Sequence, residues 1–322
     1  LEKLGRSVPK WIWNRLEEAK DVLECFCSSD EKYVRYLRFD TEQLPILCAA
    51  NREIPELLRK MLWNREEGIS AILTSGTLKA GSGFLRTRQI TGLKGRAGVQ
   101  EYVAESPFSY EKNCLLYLPK TLDHCRRGSR EEAVMVANHI HSLICSTYGH
   151  TLVLFTSYTL MGSVYQILRD SLPFPMVEVW RHSQEEILRF KTMENGVLFA
   201  AGSCWEGVDF PGDMVSSLII VKLPFAVPNP ISEAEKETYD SLETYIQSII
   251  VPDMQKKLRQ GFGRAIRTET DTCVVSILDI RAVKGGKYHE DVMCALPPCR
   301  IAEDLKEVQD FIRSRKGVEY YL

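Results

Sequence analysis

Four residues stand out by type and spacing. In the segment Gln260-Gly-Phe-Gly-Arg-Ala-Ile-Arg267, the residues Gln260, Gly263, Arg264 and Arg267 recur at i, i+3, i+4 and i+7. On a helix that spacing makes one stripe. Leu258, Phe262, Ala265 and Ile266 would form the opposing apolar face. Two guanidinium groups and an amide then project together, with a glycine letting another group approach closely. Two glycines inside a helix cost about 1 kcal/mol each against alanine, which asks for a reason. Two readings fit. One is a solvated arginine face on a helix broken at the glycines. The other is a fork of arginines that meets a phosphate chain, the chemistry of an arginine finger in nucleotide hydrolysis.

Other candidates follow apolar runs. Ser75-Gly76-Thr77 comes after Ile72-Leu73, and Thr156-Ser157-Tyr158 after Val153-Leu154-Phe155. Gly202-Ser203-Cys204-Trp205-Glu206-Gly207-Val208-Asp209 comes after Leu198-Phe199-Ala200-Ala201. In an open parallel sheet, ligands collect at the carboxyl ends of the strands. Hydroxyls and backbone N–H groups there suit phosphate oxygens, and Tyr158 or Trp205 could stack a base or merely pack. The competing reading of each hydroxyl is an ordinary helix cap. No G-x-x-x-x-G-K-S/T segment occurs, nor an Asp-Glu-x-His run after a buried strand. The arginines thus have no phosphate cradle beside them, and the chain reads as half of an active site.

The elements that must position these residues follow from periodicity. Helices are expected over 10–27 and 54–63, a strand over 32–39 and a short buried strand over 69–74. The cluster Lys79-Ala-Gly-Ser-Gly83 opens a glycine-rich stretch in which Arg86, Arg88, Lys94 and Arg96 meet no acid between 84 and 96. A domain boundary is expected near 84. Beyond it, strands over 114–118, 151–155, 176–180, 197–201, 218–221 and 273–278 are expected. They alternate with helices over 129–148, 160–169 and 253–267, one opened at Ser183 and an acidic helical stretch over 233–243. Ser129 with Glu132 reads as a capping box. The fold class is α/β, a doubly wound, mostly parallel sheet.

Composition agrees. The chain has 322 residues, 44% hydrophobic and 26% charged, with net charge −2. That excludes disorder, collagen-like sequence and a coiled-coil rod, and no apolar run approaches a membrane span. No secretory h-region is present. None of the ten cysteines forms a C-x-x-C pair, so no metal site is expected and the thiols read as reduced in a cytoplasmic protein.

Taken together, these segments resemble the C-terminal part of a DinG/XPD-type helicase, of the superfamily 2 iron–sulfur group and nearer its bacterial DinG branch. Ser75-Gly76-Thr77 is similar to motif III, with glycine where the family usually has alanine. Leu154-Phe-Thr-Ser-Tyr158 is similar to motif IV. Gly202-Ser-Cys-Trp-Glu-Gly-Val-Asp209 is similar to motif V, and Gln260-Gly-Phe-Gly-Arg-Ala-Ile-Arg267 to motif VI. Glu105-Ser-Pro-Phe108 and Lys222-Leu-Pro-Phe225 also look like family features.

The resemblance implies a second RecA-like motor domain over 84–322. Residues 33–83 would be the tail of the first motor domain with motif III, and 1–32 a helical remnant of the inserted arch region. It implies that Arg264 and Arg267 reach ATP phosphates across a cleft that Gln260 helps close. Ser75, Gly76, Thr77, Glu206 and Asp209 would couple the nucleotide to movement. Thr156, Ser157, Tyr158, Ser203 and Trp205 would contact a single strand. ATP and magnesium would be held mainly by the first motor domain, and an iron–sulfur cluster would lie upstream, with no cysteine here assigned to it. The implied partners are single-stranded DNA or DNA junctions and that first motor domain, with no membrane. The implied setting is a monomeric, cytoplasmic, nucleoid-associated protein of DNA repair. A second reading is a stand-alone nucleic-acid-binding or regulatory module that keeps the fold without ATPase activity. It would use the basic stretch 84–96 and the cluster Lys120/Arg126/Arg127/Arg130, which otherwise read as solvated faces.

Overall fold

The computed structural model describes residues 8–40, 42–64, 70–81, 83–120, 122, 124–180, 184–210 and 212–321, the side chain of Ser203 excepted. The chain forms two compact units. The first comprises Leu1–Leu73, Phe84–Gln100 and Ala226–Ile250, the second Thr74–Gly83, Glu101–Phe225 and Val251–Leu322. At the boundary expected near 84, Phe84–Gln100 therefore groups with the first unit and Thr74–Gly83 with the second.

In the first unit, the helix Lys10–Cys27 is followed by an antiparallel hairpin of β1, Tyr33–Phe39, and β2, Pro45–Asn51. Asp40 closes the hairpin by accepting from the N–H groups of Glu42 and Leu44. The helix Ile54–Leu58 runs on into a π-turn over Arg59–Trp63. Gly92 has φ +75°, and a Cβ there would lie 2.2 Å from Pro55 O, so only glycine fits. Three arginines of this unit are engaged within the fold. Arg59 donates to the carbonyls of Gly92 and Lys94, Arg86 pairs with Glu235 at 2.8 Å, and Arg96 donates to Asn64 Oδ1.

The strand expected over 69–74 does not form. Ile69 lies outside the described residues, residues 70–75 are irregular, and Ile72 is 92% exposed. A strand needs a hydrogen-bonded neighbour, and among the described residues neither sheet supplies one.

The second unit is built on seven strands: β3 Cys114–Tyr117, β4 Thr151–Phe155, β5 Met176–Val179, β6 Val197–Ala201, β7 Ser217–Ile220, β8 Cys273–Ile277 and β9 Arg300–Ala302. Their order across the sheet is β5-β6-β4-β7-β8-β3-β9, and every pairing is parallel. All five residues of β4, β6 and β8 are buried, as a parallel sheet covered by helices requires. The α/β class expected from the alternation is therefore observed. Flanking helices include Arg130–Ser146, Tyr158–Leu168, Val251–Phe262 and Leu305–Arg315.

Ser129 caps the first of these by accepting from Glu132 N. The Glu132 carboxylate, however, accepts from Gly128 N rather than Ser129 N, and it pairs with Lys222 at 3.0 Å. The cap expected at Ser183 falls outside the described residues. Among the described residues no helix is long and apolar enough to cross a membrane.

Candidate active site

Helix Val251–Phe262 carries the first residues of the expected stripe. On it, Gly261 lies against Trp205, where a Cβ would come within 2.8 Å of the indole ring. Trp205 donates from Nε1 to Phe155 O at 3.0 Å, and the Lys257 ammonium lies 5.7 Å from the ring centroid. The end of β4, the loop after β6 and this helix are thus joined through one indole. Trp205 is 1% exposed, which corrects its assignment as a base-contacting residue. A buried ring offers no face to a base.

The helix ends at Phe262, not at 267. Gly263 N still donates to Arg259 O, but Arg264 N donates to Gly261 O at 3.0 Å, tightening the chain into a turn. Arg264 and Arg267 therefore leave the stripe and come together by another route. Arg264 Nη1 donates to the carbonyl of Val208, and Arg267 Nη2 donates to the same oxygen at 3.2 Å. Asp271 holds the turn by accepting from the N–H groups of Arg267 and Thr268, both at 2.8 Å.

Arg267 Nε also lies 3.2 Å from Asp209 Oδ1, an ion pair without hydrogen-bond alignment. The Asp209 side chain is 68% exposed and that of Arg267 29%, so water screens the pair from the carboxylate side and it contributes about 1 kcal/mol or less. Burial, and then the charge of Arg267, lower the pKa of Arg264 from its ordinary value. The Nε atoms of both arginines are buried without a hydrogen-bond partner. Gln260 is half-buried on the helix's last turn, and Glu206 is exposed.

Ser75, Gly76 and Thr77 lie in an exposed to half-buried turn, in which Ser75 Oγ accepts from Thr77 N at 3.2 Å. Two residues absent from the sequence reading anchor the chain just beyond it. Arg259 donates from Nη1 to Lys79 O at 2.5 Å and from Nε to Ala295 O at 3.0 Å. Gln255 donates to Asp291 O at 2.8 Å and lies beside Gly81, whose φ is +56°. Their signal was the i, i+4 pair of long polar side chains on the face otherwise occupied by Met254 and Leu258.

At the end of β4, Thr156 is exposed. Ser157 caps the helix Tyr158–Leu168 by accepting from Leu160 N at 3.3 Å. The Tyr158 hydroxyl donates to Ala201 O at 3.1 Å, and its ring stacks on Trp180 with centroids 5.6 Å apart and planes 16° apart. Trp180, 46% exposed, escaped the sequence reading although it follows β5 as Tyr158 follows β4. An open groove of about 970 Å³, lined by Tyr117, Lys120, Arg130, His139 and Asp304 among others, contains none of these residues. Within it, Lys120 pairs with Asp304 at 2.9 Å.

Residues 140–299 match the family of helicase C-terminal domains, a stretch that takes in β4 to β8 and the Arg264–Val208–Arg267 convergence. This stretch of the chain is a helicase C-terminal domain, similar to that of DinG helicases. It is 33% identical over 270 residues to the ATP-dependent DNA helicase DinG of Photobacterium profundum, covering 80% of this chain and 38% of that protein. It is 28% identical over 295 residues to the 3'-5' exonuclease DinG of Bacillus subtilis, covering 86% and 31% respectively. A solved XPD helicase aligns over 59% of this chain and 35% of its own, with 19% identity and a TM-score of 0.45. The α/β class of this domain rests on its own seven strands, paired in parallel throughout. The chain spans roughly a third of the length of these two DinG relatives, with shares of 38% and 31%.

Proposed function

We propose that this chain is the C-terminal motor portion of an ATP-dependent DNA helicase working on single strands and duplex junctions. The observation that carries this reading is the convergence of Arg264 and Arg267 on one carbonyl, with the Nε of each buried and without a hydrogen-bond partner. Two cations held side by side and partly out of water repel one another. A phosphate oxygen placed between them would relieve that repulsion and complete their hydrogen bonding. The arginines therefore fit the terminal phosphates of a nucleotide.

The rest of the nucleotide and its magnesium need another lobe. The sequence has no phosphate loop, and among the described residues no group of three or more His, Cys, Asp or Glu could hold a metal. ATP supplies the phosphoanhydride whose hydrolysis drives the motor. Arg264 and Arg267 stabilise charge on the departing phosphoryl oxygens, as preorganised donors do. Gln260 closes the interface, while Glu206, Asp209 and the Ser75-Gly76-Thr77 turn link the cleft to the strand. Thr156 and Ser157 face the DNA backbone. The same reading places the protein in the cytoplasm, at the nucleoid.

DNA-stimulated phosphate release by the purified chain is the test. Activity at background, with and without single-stranded DNA, is expected of half a site. Robust stimulated turnover by this chain alone would overturn the half-site reading.

A further inference from the structure

We propose that Trp180 is a stacking platform for a base of single-stranded DNA. The proposal rests on the DNA-motor reading above and deepens it. β5 is an edge strand whose Val177 and Val179 are buried. Trp180 is the next residue, at the carboxyl end of the strand. Its indole is 46% exposed, and one face is already fixed. The ring lies nearly parallel to that of Tyr158, 16° apart at a centroid distance of 5.6 Å. Gly162 approaches its benzo edge so closely that a Cβ there would touch at 3.5 Å.

Tyr158 is itself immobilised. Its hydroxyl is bonded to Ala201 O, and it begins a helix capped by Ser157. The result is a rigid, half-open aromatic surface, and ordering such a surface on binding costs little side-chain entropy. It stands beside the two segments that follow β4 and β6, where ligands of a parallel sheet collect. A base stacks on an indole whatever its identity, which suits a motor that must accept any sequence. Tyr158, which follows β4, has one face spent on Trp180, and Trp205, which follows β6, is closed off by Gly261 and Phe155. Trp180 is the one left open to a base.

The experiment compares wild type, Trp180→Ala and Trp180→Tyr of the full chain. Each binds labelled oligothymidylate of about 15 nucleotides and an abasic strand of equal length, followed by anisotropy at low salt. Wild type should prefer the base-bearing strand. Trp180→Ala should weaken oligothymidylate binding by about tenfold and leave abasic binding nearly unchanged, erasing the preference, while Trp180→Tyr restores most of it. Equal weakening on both strands, or no weakening by Trp180→Ala, would overturn the platform. So would a wild type that treats the two strands alike. None of these results bears on the arginines, whose role is read separately in ATP turnover.

Discussion

Arg264 and Arg267 share one acceptor, the carbonyl oxygen of Val208. The loop after β6 is therefore the resting place of both guanidinium groups, and Asp209 beside Val208 adds a water-screened ion pair to Arg267. Replacing Arg264 by lysine keeps a positive charge but loses the planar fork. On the proposed motor reading, Arg264→Lys in the protein joined to its nucleotide-binding lobe should lower ATP turnover by at least tenfold with little change in the thermal midpoint. Asp209→Asn should change unfolding free energy by less than about 1 kcal/mol, because an exposed pair contributes no more. Chemical denaturation reads the second effect and steady-state phosphate release the first.

Gly261 is the contact point between the helix and Trp205. An alanine there would ordinarily favour a helix, but its Cβ would press on the indole at 2.8 Å. Gly261→Ala should destabilise the chain by about 1–3 kcal/mol, the usual cost of overpacking. Gly263→Ala meets only backbone carbonyls at 3.4 Å and should be far milder. Equal urea midpoints for the two variants would contradict the close packing of Gly261 on Trp205.

Arg259 holds the chain just after the Ser75-Gly76-Thr77 turn through Lys79 O. Arg259→Met removes donors from two carbonyls, those of Lys79 and Ala295. Each acceptor left unmatched costs about 1–3 kcal/mol when buried. Faster limited proteolysis within 74–83 is expected, at protease levels that leave the sheet intact. Unchanged cleavage would mean that other contacts anchor the segment.

His150 stacks on Tyr320 with centroids 4.1 Å apart, and burial lowers its pKa below the ordinary 6.5. Contacts with Tyr320 and Asp213 oppose the shift without reversing it. The unfolded chain then binds a proton that the folded chain refuses. Its contribution to stability is complete above about pH 6.5 and declines as pH falls from there toward the folded-state value. The urea midpoint should fall from pH 7.5 to 5.5, and His150→Gln should flatten that slope by up to about 1.4 kcal/mol per pH unit at its steepest. An unaltered slope would assign the acid sensitivity elsewhere.

The parallel sheet was legible because its strands are buried on both faces and so read as unbroken apolar runs. The runs at 151–155 and 197–201 coincide with β4 and β6, and the others end within a residue or two of the strands. Helix Lys10–Cys27 was equally plain from its period. β9 escaped because Arg300-Ile-Ala302 is three residues long with Ile301 exposed, too short for any pattern. The run 69–74 misled because apolar character alone does not supply a strand with a partner.

At the site, residue types were legible and their geometry was not. Arg264 and Arg267 meet, but through a turn and a carbonyl in another loop, which no spacing rule within one helix encodes. Trp205 and Trp180 both lie just beyond a strand. What separates the buried one from the open one is Gly261, more than fifty residues away in sequence.

The most direct test of the proposed motor reading is nucleotide binding and turnover measured side by side on Arg267→Ala in the protein joined to its nucleotide-binding lobe. A fall in DNA-stimulated turnover of about a thousandfold or more, with ATP affinity nearly unchanged, is expected of a finger that acts on the departing phosphoryl group. Preserved turnover per bound ATP, with affinity lost instead, would contradict it.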